Sequence, residues 1–171
     1  ATAAEIETAI RKYANALVDL VLGNGYDGLD LDFEPSYAGH YGNIVNEPDH
    51  PGVADQGDIF AGTTADQRVN WFVEECSKRL GHKSGSGKLL IIDGELHTMP
   101  VETIDSFDYY ILQTYNVDGH DALENRLERV INAFSSVLDA ETITRKLIVT
   151  ENFESAEVAG NGGYPWTVDG E

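Results

Sequence analysis

Basic residues are scarce in this sequence: 11 Lys and Arg stand against 30 Asp and Glu in 171 residues, a formal net charge of -19. Such a field repels nucleic acid, anionic lipid and polyanionic substrates at long range, while an uncharged ligand such as a neutral glycan is unaffected. An acidic surface also serves solubility alone. Cysteine is nearly missing: the single thiol, Cys76, excludes a disulfide within the chain, and its place on the apolar stripe of a predicted helix assigns it to packing rather than to nucleophilic or metal chemistry. No apolar run approaches the ~20 residues that a membrane span needs. The opening residues lack the basic-then-apolar layout of a signal peptide, so nothing present encodes a localisation. Internal repeats and low-complexity tracts are also missing. What is there is 42% hydrophobic and 24% charged, which suits the core of one soluble domain of ordinary size.

The pattern along the chain alternates helices with strands. Thr2 and Glu5 have capping-box spacing ahead of Ile6, Ile10, Tyr13, Leu17 and Leu20, which step by three and four and predict a helix ending at Gly23-Asn24-Gly25. A strand is predicted over Gly28 to Phe33, then a long loop from Pro35 to Gly62 rich in Gly, Pro, His and Asn; a loop of that length is usually functional or disordered. Thr64 and Gln67 repeat the capping spacing before Val69, Phe72, Val73, Cys76 and Leu80, a helix stopped by Gly81. Lys88 to Glu95 reads as a buried strand, Phe107 to Asn116 as a third, Leu123 to Phe134 as a helix, and Arg145 to Asn152 as a fourth strand. The glycine-rich tail has no period. Strands alternating with helices imply right-handed β-α-β units, a parallel sheet and the α/β class. Each strand ends in polar residues (Glu34, Asp93, Gln113 to Asn116, Glu151), which gathers them on one rim, where a (β/α) barrel or a doubly wound sheet places its active site.

The first strand is the unusual one. Carboxylates are poor strand formers and repel one another on a shared face, yet Asp30, Asp32 and Glu34 alternate with Leu29, Leu31 and Phe33. The apolar set can pack under helices and leave the acidic set facing a barrel lumen. Three close carboxylates in a restricted space cannot all stay ionised; they share a proton and keep at least one group protonated near neutrality, the condition for a general acid. Two other readings stand beside this one: the solvated face of an edge strand, and a site for a hard cation. The shared polar rim weighs against the first and the lack of nearby paired His ligands against the second.

Asp27-Gly28-Leu29-Asp30-Leu31-Asp32-Phe33-Glu34 resembles the D-G-x-D-x-D-x-E signature of glycoside hydrolase family 18, the chitinases and endo-β-N-acetylglucosaminidases, which lies on the fourth strand of their (β/α)8 TIM barrel. "LQTYN" resembles the Q-x-Y-N element of that family's sixth strand and supplies Gln113, Tyr115 and Asn116. The resemblance implies a retaining, substrate-assisted glycosidase. Glu34 would protonate the departing glycosidic oxygen and later activate water, the substrate's 2-acetamido oxygen being the nucleophile. Asp32 would hold the acetamido group, Asp30 would share a proton with Asp32, and Tyr115 would orient the acetamido carbonyl. Gln113, Asn116, Asp27 and Glu151 would bind substrate; Asp93 and Glu95 end a strand on the rim and are candidates for sugar hydroxyls; Tyr37, Tyr41 and Trp166 are candidates for sugar stacking. The resemblance implies no cofactor and no metal. It implies a glycan partner, an N-glycan or a chitin oligomer, and an extracellular, periplasmic or cell-surface setting.

A complete barrel has eight strands and typically ~250 residues, whereas four strands are read here and the signature strand comes first. Residues 1–171 therefore resemble the fourth to seventh strand units of the family's barrel, as part of its catalytic domain. Three functions follow: an endo-acting hydrolase of the chitobiose core of N-glycans or of chitin, a family member that binds glycans without cleaving them, and a metal-dependent hydrolase. The compressed units around "DFEPSYAGHYGN" favour the endoglycosidase over the chitinase, and retention of Glu34 opposes the non-cleaving member.

Overall fold

The computed structural model describes residues 1–34, 62–114 and 120–150. Helix α1 (Ala3–Gly23) begins at the anticipated cap: the Thr2 hydroxyl accepts from the Glu5 N–H at 3.3 Å, and the Glu5 carboxylate accepts from the Thr2 N–H at 2.7 Å. Helix α2 (Ala65–Ser77) repeats the box between Thr64 and Gln67, each cap being worth about 1 kcal/mol. Strands β1 (Gly28–Phe33), β2 (Leu89–Gly94), β3 (Tyr109–Gln113) and β4 (Leu147–Thr150) lie inside the predicted segments. Short 3-10 turns at Leu96–Thr98 and Val101–Ser106 fill the way from β2 to β3. Helix α3 (His120–Phe134) was expected from its apolar spacing; α4 (Ala140–Lys146), capped by Asp139, was not.

The four strands are all parallel and stand in chain order, β1-β2-β3-β4. Right-handed crossovers that never reverse direction keep their helices on one face of the sheet, so the order fits a barrel segment and not a doubly wound sheet. Partners in a parallel register share a face, and the register separates the two faces cleanly. Leu29 with Leu90, Leu31 with Ile92, and Ile92 with Tyr110 face the helices. They join one core with Ile6, Ile10, Ala14 and Val18 of α1, Phe72 and Val73 of α2, and Val130 and Phe134 of α3. The other face carries Asp30 with Ile91, Asp32 with Asp93, and Ile111 with Ile148.

Helix α1 buries Ile6 and Ile10 of the expected stripe and then departs from it. Ala14, Val18 and Val21 lie inside, while Tyr13 and Leu20 are exposed. The helix turns its small residues toward the sheet and α2, where close approach is needed, and Tyr13 lies over its edge with its ring 5.9 Å from that of Phe72. Arg11 ties the two helices on the outside, donating to Glu74 at 2.6 Å and to Glu75 at 3.2 Å. Cys76 is fully buried in the core as expected, and burial pushes its thiol up to about 12.

Candidate active site

The helix-free face of β1 presents Asp30 and Asp32, and Glu34 follows directly after the strand at its C-terminal end. Alternation puts them there: Leu31 and Phe33 are drawn to the core, which obliges the intervening residues to face the other way. The next strand supplies Asp93, the register partner of Asp32. From the end of β3, the Gln113 side-chain amide reaches back to Asp32, Nε2 donating to Oδ1 at 3.2 Å. Arg126 of α3 fixes the base of that reach by donating to the Gln113 carbonyl at 2.7 Å. Beyond it, the Thr114 hydroxyl donates to the Thr150 carbonyl and so joins the ends of β3 and β4.

At the rim β1 and β2 approach closely. Gly94 has φ +101, and a Cβ there would stand 2.4 Å from the Phe33 carbonyl oxygen. Only glycine supplies both the conformation and the space. The same carbonyl accepts from the Glu95 N–H at 2.8 Å, which locks the end of β2 against the residue preceding Glu34.

The electrostatics of the face follow from its composition. None of the four strands contains a basic residue. Asp30 keeps solvent on one side, yet the side chains packed around it remove enough water to raise its carboxyl above the ordinary range; the charges of Asp93 and then Asp32 raise it further. Asp93 is also raised, chiefly by burial and additionally by the Asp32 charge, while hydrogen bonding from Gln113 and from the Gly94 N–H opposes the rise. Its Oδ1 is buried with no hydrogen-bond partner among the described residues. Among the same residues no cluster of His, Cys, Asp and Glu has the arrangement of a metal site.

The structure thus gathers Asp30, Asp32 and Gln113 on one face, with Glu34 at the strand end. Asp27 is not brought to them: it sits at the opposite, N-terminal end of β1, fully exposed and 3.7 Å from the Lys88 ammonium. Tyr115, Asn116 and Glu151 lie outside the described residues, as do Tyr37, Tyr41 and Trp166. Asp93, read in the sequence as a polar strand end and a candidate for sugar hydroxyls, is the register partner of Asp32 and joins the carboxylate cluster. Its parity in "LLIIDG" carried the signal, but the register that pairs it with Asp32 is a cross-strand property.

Parallel strands in chain order, helices on one face and carboxylates at the C-terminal ends define a segment of a (β/α)8 barrel with an acidic site on its inner face. The chain belongs to glycoside hydrolase family 18: residues 1–170 match the family model described as Glycoside hydrolase family 18, BT1044-like. Among solved structures, a glutamate-to-glutamine variant of the family 18 protein BT1044, containing selenomethionine, is 25% identical with TM-score 0.64, covering 92% of this chain and 42% of that one. The endo-β-N-acetylglucosaminidase of Cordyceps militaris in apo form is 23% identical with TM-score 0.56, covering 85% of this chain and 39% of that one. An aspartate-to-asparagine, glutamate-to-glutamine double variant of the same enzyme, in complex with fucosyl-N-acetylglucosamine-Asn, matches at 21% identity over the same shares, also with TM-score 0.56. The chain therefore spans about two-fifths of the length of these structures. No curated protein matches the sequence significantly.

Proposed function

We propose that these residues supply the catalytic face of a retaining glycoside hydrolase that cleaves β-1,4 bonds at N-acetylglucosamine with substrate assistance, acting as an endo-β-N-acetylglucosaminidase on the chitobiose core of N-glycans. The observation that carries this reading is the Gln113 to Asp32 hydrogen bond, because it joins the two sequence motifs of the family at one point on the inner face. In the reaction Glu34 gives its proton to the glycosidic oxygen as that bond breaks, and the acetamido carbonyl oxygen closes onto the anomeric carbon to form an oxazolinium ion. Asp32, held by Gln113, faces the acetamido nitrogen and stabilises its positive charge, with Asp30 behind it as proton partner. Tyr115 donates to the acetamido carbonyl and aligns it for attack. Glu34, now a carboxylate, takes a proton from water as that water opens the ring, so the configuration is retained. The double variant of the Cordyceps militaris enzyme in complex with fucosyl-N-acetylglucosamine-Asn changes an Asp and a Glu two positions apart, the spacing of Asp32 and Glu34.

The test gives the complete chain a high-mannose glycoprotein, a complex-type glycoprotein and a chitin oligomer, and identifies products by mass. Cleavage between the two core sugars, leaving one N-acetylglucosamine on asparagine, is expected, at a rate unchanged by EDTA. Short N-acetylglucosamine oligomers from chitin alone would assign the same chemistry to a chitinase. Binding of all three without cleavage would replace the enzyme by a glycan-binding family member, and activity lost to EDTA and restored by a divalent ion would move the acidic cluster to metal chemistry.

A further inference from the structure

Asp93, a candidate for sugar hydroxyls from its sequence position, has surroundings unusual for a residue on an open sheet face. Strands β1 and β3 are not neighbours; β2 runs between them, so they stand two strand spacings apart, roughly 9.5 Å. The Gln113 to Asp32 hydrogen bond therefore spans β2. It passes from one pleat nearer the rim across the position of Asp93, which pairs with Asp32 on one side and with Ile111 on the other. The bond thus crosses β2 beside Asp93, whose Oδ1 is buried on a face with no helices. A primary amide has two N–H groups. One of them goes to Asp32, and the second is available to the Asp93 carboxyl, the register partner of Asp32.

We propose that Asp93 is a positioning residue of the acidic site: it anchors Gln113 from below, fixes the orientation of Asp32 through it, and couples to Asp30 across the β1–β2 pair. This deepens the glycosidase reading and rests on it for the catalytic consequence, though not for the coupling. The cluster is then three carboxyls on two strands rather than a pair on one. The groups facing it are Asp30, Asp32 and the following Glu34 on the β1 side, Glu95 beyond Asp93 itself, and the neutral Gln113 and Tyr109 phenol from β3. The strands supply no cation to divide the charge, so the charges of Asp93 and Asp32 bear on the protonation of Asp30, and that of Asp32 on Asp93.

The experiment compares the complete wild-type chain with Asp93→Asn and Asp93→Ala, using carbon-13 labelled aspartate to follow the carboxyl of Asp30 by NMR titration, alongside kcat, KM and the pH profile. Asn keeps the shape and an acceptor for Gln113 but not the charge. In Asp93→Asn the Asp30 midpoint is expected to fall, because one of the charges that raises it is gone, and the alkaline limb of the kcat profile should move to lower pH with it. In Asp93→Ala, which also loses the anchor, kcat should fall at least about tenfold below the Asn variant, short of the ~100-fold that a 1 Å misplacement can cost. An Asp30 midpoint unmoved in folded Asp93→Asn protein, checked by circular dichroism, overturns the coupling. Wild-type kcat and pH profile in both variants overturn the positioning role. If the wild-type chain cleaves no N-acetylglucosamine substrate, the activity reading fails by itself, and the titration still decides whether Asp93 belongs to the cluster.

Discussion

Glu34 follows Phe33, and Phe33 is one of the most deeply buried residues of β1. The anchoring of Phe33 in the core, together with the hydrogen bond from Glu95 to its carbonyl, holds the backbone directly ahead of the proposed acid. Replacing Glu34 by Gln preserves shape and removes the transferable proton, so activity on a GlcNAc-β-1,4-GlcNAc substrate is expected to fall at least ~100-fold while glycan binding persists. Steady-state kinetics with calorimetric binding measure both, and full activity would remove Glu34 from its role. At this scale much of the site was legible in the sequence. The parity of Asp30, Asp32 and Glu34 against Leu29, Leu31 and Phe33 fixes which face each takes, since alternation is a property of a single strand. What parity cannot carry is register. The pairing of Asp93 with Asp32 depends on how neighbouring strands align, whereas the place of Asp27 at the opposite end of β1 from Glu34 follows from the strand itself.

The elements show the same division between local and non-local information. The caps at Thr2 and Thr64 were readable because their hydrogen bonds close within three residues. The stripe of α1 follows its apolar spacing at Ile6 and Ile10 and leaves it at Tyr13 and Leu20, which are large and apolar, where the packing site asks for Ala14 and Val18. Helix α4 went unseen because seven residues with one buried side chain, Ile143, give no period. Gly94 marks the place where an element meets the site. An alanine there would need both a strained φ and a shift of the Phe33 carbonyl. Gly94→Ala should destabilise the complete chain by about 2–4 kcal/mol, read as a lower denaturation midpoint in urea, and should impair catalysis by moving the backbone ahead of Glu34. Unaltered stability would mean that β1 and β2 do not approach so closely at the rim.

For the whole molecule, the arrangement of β-α units restricts the fold to barrels and doubly wound sheets, and only the unreversed strand order separates them. The inner face defines what such a segment requires. Ile91, Ile111, Ile148 and Tyr109 share it with the carboxyls, and Tyr109 and Ile148 are 40% and 41% exposed. In a closed barrel these side chains meet layers contributed by strands from across the lumen, and the matched structures are more than twice as long as the part this chain covers. Among the described residues, β1 and β4 each pair on one side alone, which leaves two templates for association. A polypeptide limited to residues 1–171 is therefore expected to aggregate or to form a molten state with strong far-ultraviolet and weak near-ultraviolet circular dichroism and bound hydrophobic dye. The helical side of the sheet should persist in it, because the buried core lies there, whereas the acidic face should lose its fixed geometry and its activity. Size-exclusion chromatography with calorimetry decides the matter: a monomer with one sharp cooperative transition would show that the sheet is stable without closure, and that its carboxylate face stands without an opposite wall.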